Sequence, residues 1–175
     1  MTGHHPPLVR NDRGTAAIEF ALILPVMLTL LFGSFEVTRV INANTRLAAA
    51  AQTMADLIAQ QSSVSSTTIT NFCNGEKLVM TPFSGILLTT TIASVTNKGG
   101  ALSVDWQDTS CGSASSITNV TTLANPLVPD NGDSVIIVKA GYSYTSPVSY
   151  VLHASYALSQ VAYARPQRTA SIPHS

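Results

Sequence analysis

Residues 20–35 carry no charged side chain, and the stretch from Phe20 to Phe32 is apolar at nearly every position. A helix through such a run has to sink into lipid or into a large core. Extended back to Thr15 and forward to Ile41, it is long enough to cross a hydrocarbon layer of about 30 Å. Glu19 and Glu36 then fall toward the two interfaces. No other segment is apolar enough to surround such a helix, so a membrane span is the better reading than a buried core helix. A removable signal peptide is the remaining rival. Its small-residue cleavage site, with Ala48-Ala49-Ala50 as the candidate, would fall well past Phe35 in strongly helical sequence, which argues against removal there. Arg10 and Arg13 precede the run and predict a cytoplasmic N-terminus with the downstream region exported.

The 175 residues leave room for one modest domain beyond the span. Nine basic and nine acidic side chains cancel, so no global charge draws the chain to nucleic acid. Only 10% of residues are charged, and serine, threonine, asparagine and alanine dominate the downstream part, as in exported domains.

The helical pattern does not stop at the membrane edge. Val37, Val40, Ile41, Asn44, Leu47, Ala48, Ala51, Met54, Ala55 and Ile58 recur at spacings of three and four, and no proline or glycine interrupts residues 34–61. Span and stripe therefore predict one helix of about 70 Å at 1.5 Å per residue. The alanine-rich stripe suits close packing of a partner helix or of the chain's own sheet, and the spacing leaves both open. Residues 62–66 read as a linker and 67–81 as a short helix ended by Pro82. Residues 86–95 are β-branched and lead to the hairpin signal Asn97-Lys-Gly-Gly100. Leu102, Val104 and Trp106 then alternate with polar residues as a half-buried strand. Residues 109–125 read as irregular, 130–133 as a turn, and 134–144 and 156–164 as two further strands. The expected fold class is α+β: a long N-terminal transmembrane and amphipathic helix, then a small antiparallel sheet domain with a short helix. The expected divisions are a cytoplasmic leader at 1–14, the helix at 15–61 and the exported domain at 62–175.

Chemistry-bearing motifs are sparse. Cys73 and Cys111 are an even pair, which in an exported domain suggests one disulfide, with two buried free thiols as the alternative. His4, His5, His153 and His174 offer no metal spacing. Asp130, Asn131 and Asp133 fit a surface turn better than a calcium loop. The five tyrosines 142, 144, 150, 156 and 163 suit sheet packing, with an adhesive surface as the bolder reading. No catalytic residue, metal, cofactor or small-molecule substrate is indicated.

The most informative stretch is Arg13-Gly14-Thr15-Ala16-Ala17-Ile18-Glu19-Phe20. A basic leader, a glycine, and a glutamate five positions later at the head of an apolar helix form a type IV prepilin signature. Glycine leaves the scissile peptide sterically open, and the helix behind it holds the site at the membrane surface. Residues 13–25, with Phe35-Glu36-Val37, residues 44–51 and Met54-Ala55-Asp56-Leu57, resemble the TadE-like family of the tight-adherence (Flp) pilus system. The resemblance implies a minor pilin (pseudopilin) or a membrane-anchored assembly factor of the bacterial inner membrane, acting by packing and without enzymatic turnover. It implies prepilin peptidase and other Tad pilus components as partners. It also implies cleavage between Gly14 and Thr15, a Glu19 that recognises a neighbouring subunit's N-terminus, and helix packing that involves Phe20 and Pro25. A carboxylate that simply rests in the headgroup layer is the plainer account of Glu19. Thr15 stands where such substrates carry an aromatic residue or methionine, and the resemblance extends to family members, larger TadG-like relatives among them, some of which are not processed. An uncleaved anchor that presents its sheet domain outward is therefore the second reading, and a membrane-tethered enzyme the third.

Overall fold

The computed structural model describes residues 12–147 and 155–175. The leader to residue 11, with Arg10, His4 and His5, lies outside them, as do Tyr150 and His153. The chain forms two compact units, one ending at Thr38 and one running from Arg39 to Ser175.

The described part of the first unit is wholly helical and belongs to α1, Asp12–Ala59. The helix starts at Asp12, upstream of the Thr15 at which the apolar pattern begins, because Arg13 and Gly14 continue the backbone without contributing to that pattern. Its apolar side chains are exposed, with Leu22 at 73% and Leu30 at 69%. The stretch is long and apolar enough to cross a membrane, and none of its most apolar window is buried. Thr29 Oγ1 donates to Pro25 O at 2.8 Å and Ser34 Oγ to Leu31 O at 2.9 Å, so both hydroxyls are satisfied within the helix. That arrangement suits a hydrocarbon surround, where an unmet polar group is costly.

The second unit is built on a four-stranded antiparallel sheet in the order β2-β1-β3-β4. Its strands are β1 Leu88–Lys98, β2 Ala101–Cys111, β3 Ser134–Thr145 and β4 Ser155–Ala164. The fold is α+β. On one sheet face the C-terminal part of α1 and the helix α2, Ser66–Val79, pack against Leu88, Ile92, Ile136, Val138, Ala140 and Ala162. The buried side of α1 is Ala43, Leu47, Ala50, Ala51, Met54, Ala55 and Ile58, each fully buried. The four alanines join the sheet residues in one core cluster. The stripe thus faces the chain's own sheet, rotated slightly from the spacing-based reading, since Ile41 and Ala48 point outward. Gln160 Nε2 on β4 donates to Asn44 Oδ1 on α1 at 2.8 Å, and Gln167 N donates to Ala59 O at 2.9 Å at the helix end.

The opposite sheet face is also covered. Ala93, Val95, Val135 and Ile137 meet Ile117, Val120, Ala124 and Val128, and the short helix α3, Val120–Ala124, lies in this cover. Residues 109–125 are therefore less irregular than their composition suggests. β2 continues to Cys111, and α3 forms because its apolar residues have a sheet face to cover.

Two strand details also depart from the alternation pattern. A register shift between Ser94 and Val95 lets β2 bulge at Asp105, so that Trp106 pairs with Ser94 and Val104 with Val95. Trp106 then joins the helix-covered face and Leu102 the other. Asp105 at the bulge accepts from Thr96 Oγ1 at 2.5 Å and pairs with Lys98 Nζ at 2.7 Å. At the start of β1, residues Gly85–Leu87 form a 3₁₀ turn instead of strand, which leaves Ile86 exposed.

Residues 165–175 return along the molecule. Trp106 Nε1 donates to Ile172 O at 2.6 Å, and Ile172 is buried. Val64 N donates to Pro173 O and Ser175 N to Val64 O, both at 3.0 Å, a parallel bridge between Val64 and His174.

Candidate functional site

Gly14, Thr15, Glu19, Phe20 and Pro25 all lie on the first half of α1. Gly14 and Thr15 are exposed, and a Cβ placed on Gly14 would meet nothing within 4 Å. The surroundings of the Gly14–Thr15 peptide are sterically open, although its backbone is helical. Glu19 is exposed one turn further on, and among the described residues nothing pairs with its carboxylate. Phe20 is 59% exposed. Pro25 has no N–H for the Ala21 carbonyl, which marks a local weak point in the helix ladder. The segment offers a continuous apolar surface with one carboxylate near its start, which suits packing in a membrane.

Cys73 on α2 and Cys111 at the end of β2 are joined by a disulfide, with Cα atoms 5.8 Å apart. The chain turns sharply after Cys111. Gly112 has φ +73°, and a Cβ there would come within 2.2 Å of Leu88 O, so only glycine admits this approach. Beside the disulfide lies Glu76, 2% exposed, whose two carboxylate oxygens each accept from Thr90 Oγ1 at 2.9 Å. Burial raises its pKa to about 7, against the lowering effects of the Thr90 bond and nearby Lys77. Glu76 was not singled out from sequence, yet its spacing from Ile69 and Cys73 puts it on the buried face of α2.

Other polar clusters are structural. Asp108 Oδ1 accepts from Ser110 N and Oγ, and Asp108 Oδ2 lies 3.3 Å from His174 Nε2. Serine and histidine thus both address the aspartate, and no relay from serine to histidine exists. Among the described residues no group of three or more His, Cys, Asp or Glu side chains is placed to hold a metal. Tyr142 and Tyr144 are buried in the sheet core, while Tyr156 and Tyr163 are partly exposed. Asp130, Asn131 and Asp133 belong to the turn before β3, where Gly132 N donates to Asn97 O.

The sequence model of the family described as TadE-like protein matches residues 14–56. The match opens on Gly14, takes in Glu19, Phe20 and Pro25, and ends on the sheet-packed half of α1, before both cysteines and every strand. No curated protein and no solved structure matches the chain. Over residues 14–56, the apolar helix and its sheet-packed extension, the chain is similar to the TadE-like family.

Proposed function

We propose that the chain is a membrane-anchored minor pilin, or pseudopilin, that takes part in assembly of a tight-adherence (Flp) type IVb pilus. In this reading prepilin peptidase cuts between Gly14 and Thr15 on the cytoplasmic face of the bacterial inner membrane. The helix stays in that membrane or enters a pilus, and the α+β unit lies in the periplasm. The observation that carries the reading is the family match itself, which begins at Gly14 and spans a helix with a glutamate at the fifth position. The exposed apolar surface of that helix suits packing beside other pilus components.

One feature favours the uncleaved alternative, an anchored assembly factor or adhesin. The backbone is already helical at Asp12, so the peptide after Gly14 would have to unwind to enter a protease. Intact-mass measurement and N-terminal sequencing of the protein from its native membrane decide between the two. A chain beginning at Thr15, left uncut in a Gly14→Leu variant, supports the minor pilin. A membrane-purified chain that retains His4 and His5 overturns processing.

A further inference from the structure

Arg39 and Arg46 stand seven positions apart on α1, two turns, and so project from one side of the helix. Both line a cleft of about 510 Å³ whose opposite wall is Pro82 and Phe83. The Arg39 guanidinium carbon lies 5.5 Å from the centre of the Phe83 ring. Arg46 is exposed and makes no ion pair among the described residues. The loop that forms the far wall runs on into Ile86, 86% exposed, and Leu87, 44% exposed. The turn that carries them is pinned to α2. Phe83 N donates to Met80 O at 2.8 Å, and a Cβ on Gly85 would sit 2.7 Å from Lys77 Cβ, so the turn lies directly on the end of α2.

Two guanidinium groups and an aromatic ring at the cleft, with two exposed aliphatic side chains further along the loop, resemble neither a water-facing surface nor a protein core. They match the boundary between lipid and water, where cations meet phosphate and apolar tips reach inward. The sequence places that boundary here. Arg39 follows Phe35, the end of the charge-free run, by four positions, about 6 Å along a helix. That is the depth of lipid headgroups outside a hydrocarbon layer of about 30 Å. Arg46 leans back toward the same level, because helical side chains point toward the N-terminal end. With Glu36 three positions before Arg39, the local sum is one net positive charge.

We propose that the cleft between Arg39, Arg46 and Phe83 binds the phosphate headgroup of an anionic phospholipid from the leaflet at this end of the span, with Ile86 and Leu87 entering the interface beside it. The planar guanidinium fork matches phosphate oxygens, and burial against Phe83 reduces competition from water. The proposal rests on residues 20–35 crossing the membrane and is independent of any role in a pilus.

The test uses the full chain. In native mass spectrometry from a zwitterionic detergent, one phosphatidylglycerol should be retained in preference to phosphatidylcholine. Arg46→Ala should weaken that retention about tenfold, and Arg46→Lys by less. In phosphatidylglycerol nanodiscs, an environment-sensitive dye on Ile86→Cys should report an apolar surround. Equal retention of both lipids, or a dye that stays in water in a chain that has entered the disc, overturns the proposal. Displacement of the lipid by millimolar inorganic phosphate overturns the lipid source, and a chain that fails to enter the disc overturns the membrane span on which the proposal stands.

Discussion

The hydroxyl of Thr90 on β1 donates to both carboxylate oxygens of Glu76 on α2, at 2.9 Å each, in a seam otherwise packed with apolar side chains. One donor does not replace the water that a buried carboxylate gives up, and burial raises the group from its ordinary 4.5 to about 7.

That shift fixes the sign of a pH dependence. Between about 4.5 and 7 the folded chain keeps the Glu76 proton while the unfolded chain releases it, so stability falls as pH rises through this window and levels off above it. The full effect is about 3 kcal/mol. Glu76→Gln keeps an acceptor for Thr90 and removes the charge. The variant should lack this fall and exceed the parent by about 1–3 kcal/mol at pH 8. Denaturant unfolding of the full chain, followed by Trp106 fluorescence at several pH values, checks it; parallel pH profiles for parent and variant would sink the idea.

The orientation of α1 predicts a contrast between adjacent positions. Leu47→Ala removes a fully buried side chain from the helix–sheet contact and should cost about 2–5 kcal/mol. Ala48→Leu, one position on and exposed, should stay within about 0.5 kcal/mol. The same unfolding assay compares the two, and similar losses would mean that the helix presents a different face.

The Cys73–Cys111 bridge spans 38 positions of sequence. Closing a loop of that size is worth about 4 kcal/mol in the chain-entropy model. Non-reducing peptide mapping of freshly isolated protein should recover the two cysteines in one linked species. Cys73→Ala with Cys111→Ala should lower stability by up to that amount, and free thiols in the isolated protein would count against the bridge.

On the proposed function, Glu19 has a testable part in assembly. If its carboxylate is read by a neighbouring subunit, Glu19→Gln should insert and be processed like the parent yet fail to co-purify with other pilus components. Equal recovery of both forms would return Glu19 to the headgroup layer. Losing a charge-assisted contact in the membrane is worth about 1–3 kcal/mol, enough for a clear difference in recovery.

Local signals account for much of this fold. Residues 20–35 announce the apolar helix, Asn97-Lys-Gly-Gly100 the β1–β2 hairpin, and Pro82 the end of α2's reach, because each acts through its own backbone or hydropathy. What sequence left open depends on contacts between distant residues. The alanine stripe of α1 suited two partners until Ile92, Ile136 and Ala162 supplied the sheet. The regular alternation of Leu102 and Trp106 concealed a bulge that sends them to opposite faces. α3 has too little length to form without the sheet face it covers. At the candidate site, the pattern of Gly14, Thr15 and Glu19, with which the family match opens, was legible because it lies in order along the chain. Glu76 was not, because a helical glutamate is usually solvated and only its depth beneath β1 sets it apart.

The return of residues 165–175 also governs when the domain can finish folding. Ile172 fills the core beside Trp106, and His174 bridges Val64, which lies at the head of α2. A chain emerging from N- to C-terminus can form the β1–β2 hairpin early, but it meets this closing contact only once residues 165–175 have emerged. Until then Trp106 lacks its partner and the connection between α1 and α2 is unpinned. Such delayed closure postpones cooperative locking of this domain until residues 165–175 have been made.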